Sequence, residues 1–314
     1  MRVRKANSAL SFISSILLCA ALLAGVYFYH ENEPYVKTFV QTAPSIIKTG
    51  LAGLKELGFN NAKNTGIPKS FESRLKIPEK ISDINDSQNL NLINGDYSIG
   101  ATAEAGGTVV NAWPSVAVST RDIQLRKDAI YALAEMFAAA REAGIGTFYV
   151  SSGYRDYAEQ KRIYESAKDK SYVQPPDHSE HQTGFAADIM AIGVSQSDLE
   201  FSVEGKWLAD NAWKYGFLLR YPKDKQDLTG ISYEPWHFRY VGLPHARYCH
   251  ENGLCLEEYL QFLKEDGGYT AVYDSHKYAV IYETAQSGKI YIPENPNYEI
   301  SGDNAGGYIV TVRE

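Results

Sequence analysis

TRDIQLRKDAIYALAEMFAAAREAGIGTFYVS, residues 120–151, is the stretch on which the fold turns. Ile123, Ile130, Leu133, Phe137 and Ala140 recur at three-, four- and seven-residue spacing, Arg and Glu fill the other face, and Gly144 and Gly146 stop the pattern. That period predicts an amphipathic helix over 120–143, and Thr147–Ser151 behind it reads as a strand. Ser152-Gly153 marks a turn, and Tyr154–Lys168 has helical composition that ends before Pro175-Pro176. Further on, Glu204–Tyr215 reads as a helix closed by Gly216, Phe217–Tyr221 as a strand and Ser232–Val241 as an interrupted strand. Helices and strands alternate without the regular unit of a parallel sheet. The expected class is α+β, with a small, mostly antiparallel sheet and flanking helices. After about Glu265, the short runs Tyr269–Tyr273, Lys277–Thr284, Lys289–Ile292, Tyr298–Ile300 and Tyr308–Arg313 are divided by Gly, Asn and Pro turns. They predict a small β-subdomain whose Tyr-rich faces pack on the rest of the chain.

Upstream the character changes. From Ala9 to Tyr29 there is no charged side chain, while Arg2, Arg4 and Lys5 stand just before and Glu31 and Glu33 just after. At roughly 1.5 Å per residue such a run spans a hydrocarbon core of about 30 Å, so it reads as an uncleaved transmembrane helix. The positive charges before it put the N-terminus inside and the body outside the cytoplasm. Residues 32–87 carry mixed charge and turn signals such as Asn64-Thr-Gly-Ile-Pro68, the pattern of a stalk. The expected organisation is a membrane anchor over 1–31, an extracytoplasmic stalk over 32–87, a main domain over 88–264 and the β-subdomain over 265–314. The chain of 314 residues is 44% hydrophobic and 22% charged, an ordinary globular composition, with a formal charge of −7. Because three of the positive charges sit in the first five residues, the body is more acidic still. No nucleic-acid partner is expected of such a surface. Three cysteines cannot supply a four-thiolate metal site, although Cys249 and Cys255, six apart, leave a disulfide open.

The chemistry lies between Ser151 and Gly242. In Ser179-Glu-His181-Gln-Thr-Gly184-Phe-Ala-Ala-Asp188-Ile189, a lone carboxylate sits among apolar residues, and a buried carboxylate needs a metal or a cation beside it. Gly184 allows a turn that returns His181 toward Asp188. In Tyr233-Glu234-Pro235-Trp236-His237-Phe238, Pro235 disfavours helix, so Glu234 and His237 converge only if the extended chain is twisted or bulged there. Two His and one Asp make a three-ligand zinc site with an open fourth position for water, and an unligated Glu is the base that such a water requires. A satisfied core His–Asp pair is the bland reading of the same residues. Ser152-Gly153-Tyr154-Arg155, with Gln160 further on, projects an Arg from a strand-to-helix junction, where it can meet a carboxylate or an oxyanion.

In this order the three segments resemble the zinc D-alanyl-D-alanine carboxypeptidases, VanY-type enzymes above all, with the family patterns present as Ser152–Arg155 with Gln160, Ser179–Asp188 and Glu234–His237. The similarity runs from about Leu90 to Lys264. It implies one zinc per chain on His181, Asp188 and His237, with Glu234 as general base and Arg155 stabilising the oxyanion. It also implies a substrate pocket lined by Gln160, Ser179, Trp236 and Ser152, and the fold shared by these peptidases and the hedgehog signalling domain. The implied substrate is a peptidoglycan stem peptide or precursor ending in D-Ala-D-Ala, whose last residue is hydrolysed, destroying the target of vancomycin-type antibiotics. The expected setting is the bacterial cell membrane, with a single pass and the catalytic domain outside. Two alternatives stand beside this reading: a D,D-dipeptidase, and a non-catalytic module that keeps zinc and binds cell wall. Ser152 occupies the place, three before the Arg, where a dipeptidase is expected to carry an acid. Retention of Glu234 and Arg155 together favours an enzyme over the binding module.

Overall fold

The computed structural model describes residues 75–100, 109–273, 275–294 and 297–314, all of them within one compact unit. The charge-free run Ala9–Tyr29 and most of the expected stalk lie outside the described residues. Among the described residues no helix is long and apolar enough to cross a membrane. In chain order the strands are β1 (Leu75–Lys80), β2 (Val110–Asn111), β3 (Gln124–Leu125), β4 (Phe148–Ser152), β5 (Ala186–Ala191), β6 (Phe217–Leu219) and β7 (His237–Tyr240). After them come β8 (Gly268–Tyr273), β9 (His276–Thr284), β10 (Lys289–Pro293), β11 (Tyr298–Gly302) and β12 (Gly307–Arg313). The helices are α1 (Lys127–Glu142), α2 (Tyr157–Ser166), α3 (Val203–Asn211), α4 (Gln226–Thr229), α5 (Leu243–Asn252) and α6 (Leu256–Asp266). The fold is α+β with small antiparallel sheets, as the sequence predicts.

The sheet that carries the chemistry has the order β4-β5-β7-β6, antiparallel throughout. Helix α1 closes one face of it. Ala129, Ile130, Leu133, Met136, Phe137 and Ala140 form its buried stripe and share a core with Phe148, Val150, Ile189, Phe217 and Phe238. The helix starts at Lys127, seven residues later than the periodicity predicts. Backbone groups of residues 123–126 are already engaged elsewhere: Ile123 O accepts from Ala112 N, Gln124 O from Tyr154 N, and Arg126 N donates to Gly184 O. Ile123 is buried, so it continues the apolar pattern from the segment just before β3 rather than from a helical turn. Helix α3 likewise ends at Asn211, and a 3-10 turn over Ala212–Tyr215 completes the predicted segment.

The second half builds on aromatic packing. Strands β8 and β9 lie against α5 and α6 in a core that includes Leu256, Tyr259, Leu263, Tyr269 and Val280, and the Tyr248 and Tyr269 rings stack 4.1 Å apart. This sheet has the order β11-β12-β9-β8. Leu90 and Leu92 enter the same core. One boundary needs correction: β1, assigned above to the stalk, pairs with β10, and Ser87 N donates to Ile300 O, so residues 75–87 belong to the folded body. Alternating Leu75, Ile77 and Glu79 with Lys76 and Lys80 gave the stretch its mixed charge, and that charge concealed a strand. Cys249 and Cys255 are buried free thiols, not a disulfide.

Candidate metal and catalytic site

Asp188 sits in the middle of β5, directly opposite His237 on β7 and, on its other side, opposite Ser152 on β4. Alternation along β5 sends Ala187 and Ile189 into the core and leaves Asp188 on the opposite face. His181 arrives from a 3-10 turn, Glu180–Thr183, that ends at Gly184 in the left-handed region (φ 76°). A Cβ at Gly184 would stand 2.5 Å from Val109 Cγ1, so only glycine allows the turn to close this tightly. Glu234 reaches the same place by a route different from the expected bulge. Pro235 and Trp236 form a turn in which His237 N donates to Glu234 O at 3.2 Å, and β7 begins only at His237. Pro235 suits such a turn because its fixed φ is the one required after the first residue. Glu234 Oε2 then lies 3.7 Å from His237 Nδ1.

His181 Nε2 is 3.4 Å and His237 Nδ1 3.1 Å from Asp188 Oδ1, and one ligand atom from each of the three residues falls within 4.8 Å of the others. The remaining ring nitrogens are spoken for. His181 Nδ1 is 2.7 Å from Gly153 O, which makes it the donor and leaves Nε2 as the lone-pair nitrogen on the site. His237 Nε2 faces Glu180 Oε2 at 3.5 Å, which turns Nδ1 toward Asp188. Outer partners of this kind fix the ring and tautomer of a ligating histidine. Two imidazoles and one carboxylate with an open side form the donor set of a catalytic zinc site, so the residues present fit that ion.

Around the cluster is a cavity of about 220 Å³. Arg155, Gln160, Ser179 and Trp236 line it together with Glu234 and the three candidate ligands. Arg155 Nε and Gln160 Oε1 are buried without a hydrogen-bond partner, although Gln160 Nε2 donates to Gln174 O at 2.6 Å. Unmet buried polar atoms on a cavity wall mark groups awaiting a ligand. Ser152 is not brought in: it pairs along β4 with Asp188 and does not line the cavity. Sequence reading passed over Tyr172, Gln174 and Tyr221 on the wall, as well as Glu180, Arg220 and Arg239 behind it. Glu180 stood in plain view beside His181, but only its burial distinguishes it from a surface acid. His178, next to the motif, is turned toward Asn94 O at 2.7 Å.

The titration behaviour of the metal-free site follows from burial and charge. Burial pushes the Glu234 carboxyl up to about 8, with the charges of Asp188 and Glu180 adding to it and His237 and Arg155 opposing. Burial, then Arg155, pushes His181 down to about 4. For His237 burial works against charge, but Asp188 and Glu180 outweigh it and carry the ring up to about 9. Burial likewise acts against ionisation of Asp188, yet the two imidazoles hold it well below the usual carboxylate range. In the metal-free cluster Glu234 is thus the carboxyl that resists ionisation and Asp188 the one that ionises readily.

The family model of VanY, D-alanyl-D-alanine carboxypeptidase, matches residues 122–243, the segment that holds every residue of the cluster. A D-alanyl-D-alanine carboxypeptidase of Enterococcus faecium is 43% identical over 192 residues, 61% of this chain and 62% of that protein. The chain thus spans somewhat less than two thirds of that relative. YodJ of Bacillus subtilis (strain 168), which carries a carboxypeptidase name, is 34% identical over 279 residues, 84% of this chain and 100% of YodJ. Among solved structures, the vancomycin-resistance D,D-dipeptidase VanXYg in complex with a D-Ala-D-Ala phosphinate analog superposes with a TM-score of 0.65 at 34% identity, covering 76% of this chain and 98% of its own. With the matching motifs gathered around one cavity and with YodJ and VanXYg covered over nearly their whole length, the chain belongs to the VanY family of D-alanyl-D-alanine carboxypeptidases.

Proposed function

We propose that this chain is a zinc-dependent D,D-carboxypeptidase that hydrolyses the C-terminal D-Ala from peptidoglycan stem peptides or precursors ending in D-Ala-D-Ala. The observation that carries the reading is the convergence of His181, Asp188 and His237 with Glu234 and Arg155 on one cavity. A zinc ion held by the three ligands would act as Lewis acid on the scissile carbonyl and on the attacking water, and would draw Glu234 toward its ionised form. Glu234 takes the proton from the attacking water and hands it to the leaving amine. Arg155, with its Nε unpartnered, donates to the oxygen on which negative charge develops. Tyr172 stacks on Trp236 at 6.4 Å and gives the cavity an aromatic wall, while Gln160 Oε1 offers a free acceptor.

Among the described lining residues, the carboxylates are Asp188 and Glu234 alone. Both belong to the reacting centre, which leaves no further acid to hold the ammonium of free D-Ala-D-Ala. This favours acylated substrates over the dipeptide, and removal of the terminal D-Ala from them would contribute to glycopeptide resistance. The charge-free run over 9–29 supports a catalytic body tethered outside the cell membrane, a placement checked by protease access to the body in intact spheroplasts. The activity itself is tested by following D-Ala release from an acylated peptide ending in D-Ala-D-Ala and from the free dipeptide. Faster cleavage of the acylated peptide, abolished by a chelator and restored by zinc, is expected. Cleavage of the dipeptide alone makes the protein a dipeptidase, and cleavage of neither by zinc-loaded protein makes it a binding module.

A further inference from the structure

Behind the ligand cluster lies a second set of charges that the reaction does not consume. The side chain of Glu180 has no exposed surface, and its Oε1 accepts from Arg220 Nε at 2.7 Å. The same oxygen is paired with Arg239 Nη1 at 2.9 Å, off the hydrogen-bond line. Its other oxygen faces His237 Nε2 at 3.5 Å. Arg220 spends its two terminal nitrogens on Glu257 in the first turn of α6, at 2.9 and 2.6 Å, and Glu257 Oε1 also accepts from Asn94 Nδ2 at 3.0 Å. Arg239 Nη2 donates to Asn89 O and Asn91 O, both at 3.1 Å. Two carboxylates and two guanidinium groups balance.

Stability alone does not explain this set. Taking four charges out of water costs so much that well-packed apolar residues of the same volume commonly hold a core as well or better. A carboxylate at position 180 does one thing that an apolar residue cannot: it offers an acceptor to the ring nitrogen of His237 that faces away from Asp188. The guanidinium groups keep that acceptor ionised and fixed. Arg220 in turn is anchored at both ends, through its backbone N on His237 O at 3.1 Å and through its side chain on α6.

We propose that Glu180 is a positioning residue for His237, and that the Arg220–Glu257 pair holds Glu180 in place from α6, so that Leu256–Asp266 forms part of the metal site. The inference rests on the reading of His181, Asp188 and His237 as metal ligands. Its test uses zinc affinity, measured by chelator competition on the full-length chain, and the visible spectrum of the cobalt-substituted protein. Glu180→Gln is expected to weaken zinc binding by about 10- to 100-fold and to shift the cobalt bands. Glu257→Gln acts in the same direction and less. The control is Asp303→Asn, a change at a buried carboxylate that accepts from the Tyr282 hydroxyl, Ala305 N and Gly307 N, away from both the cluster and α6. It lowers stability and leaves both readouts unchanged. Wild-type affinity and spectrum in both Glu variants overturn the proposal, as does an equal loss of affinity in the control.

Should Glu180→Gln not fold, the zinc-loaded wild type answers independently through nitrogen NMR of labelled histidines. Metallation of His237 at Nδ1 with an exchange-protected Nε2–H is expected, whereas metallation at Nε2 or a freely exchanging Nε2–H overturns the proposal. Turnover enters none of these readouts. A chain that binds zinc in this manner yet releases no D-Ala refutes the proposed function and leaves the positioning role standing.

Discussion

At Glu234, the burial that raises the carboxyl from an ordinary 4.5 to about 8 gives the metal-free protein a signature in its stability. Between those values the folded chain holds a proton that the unfolded chain has released, so this contribution is complete below about 4.5 and is lost as pH rises through about 8. His237, carried up to about 9, adds a loss in the same direction above its ordinary 6.5. His181, pushed down to about 4, acts oppositely, with stability lost as pH falls below 6.5. Glu234→Gln removes the first contribution and, because the Glu234 charge helps to raise His237, part of the second. Urea titrations of the metal-free proteins should therefore show wild type losing, relative to the variant, on the order of a few kcal/mol between pH 5 and 8.5. A difference independent of pH contradicts the burial account. At Arg155, replacement by Met removes the donor with the unmet Nε, and kcat/KM for an acylated D-Ala-D-Ala peptide should fall by about 10²- to 10³-fold with zinc content unchanged. His181, Asp188, His237, Glu234 and Arg155 draw notice in the sequence as polar residues among aromatics and small apolar residues, but their roles come from the resemblance of three ordered motifs to a known family. Glu180, Arg220 and Arg239 draw no notice, because their meaning lies in partners that their side chains find from 37 to 150 positions away along the chain.

At the scale of elements, close backbone approaches set where helices begin. Helix α3 opens with Ser202 accepting from Gly205 N, and a Cβ on Gly205 would stand 1.8 Å from Leu199 O, a backbone atom with no room to yield. Gly205 has an ordinary helical conformation, so the cost of Gly205→Ala comes from this contact rather than from backbone strain. Chemical denaturation should show a loss of about 1–3 kcal/mol or more, despite the higher helix propensity of alanine. An unchanged or raised midpoint contradicts that contact. The same kind of competition explains where periodicity misled. Residues 120–126 carry helical spacing at Ile123, yet their backbone groups serve β2, Tyr154 and Gly184. The C-terminal strands were legible almost residue by residue, since alternating Tyr, Val and Ile between Gly and Asn turns leaves little choice. Strand β1 was hidden because its partner β10 lies more than two hundred positions later.

For the whole molecule, the sheet β4-β5-β7-β6 serves as a frame that brings together three short motifs separated by up to about eighty residues. The turn just after β4 supplies Gly153 O to orient His181, the sheet sets Asp188 opposite His237, and β7 starts where the Pro235 turn swings Glu234 inward. The central claim is that this frame makes one hydrolytic metal centre in which Glu234 moves the proton and holds no metal. The most direct measurement is zinc content together with kcat/KM on an acylated D-Ala-D-Ala peptide, for the full-length wild type and Glu234→Gln. The account predicts one zinc per chain in both proteins and, in the variant, activity lower by at least about 10³-fold, the scale on which positioned general bases contribute. Undiminished activity in the zinc-loaded variant, or loss of zinc along with the carboxylate, would contradict it.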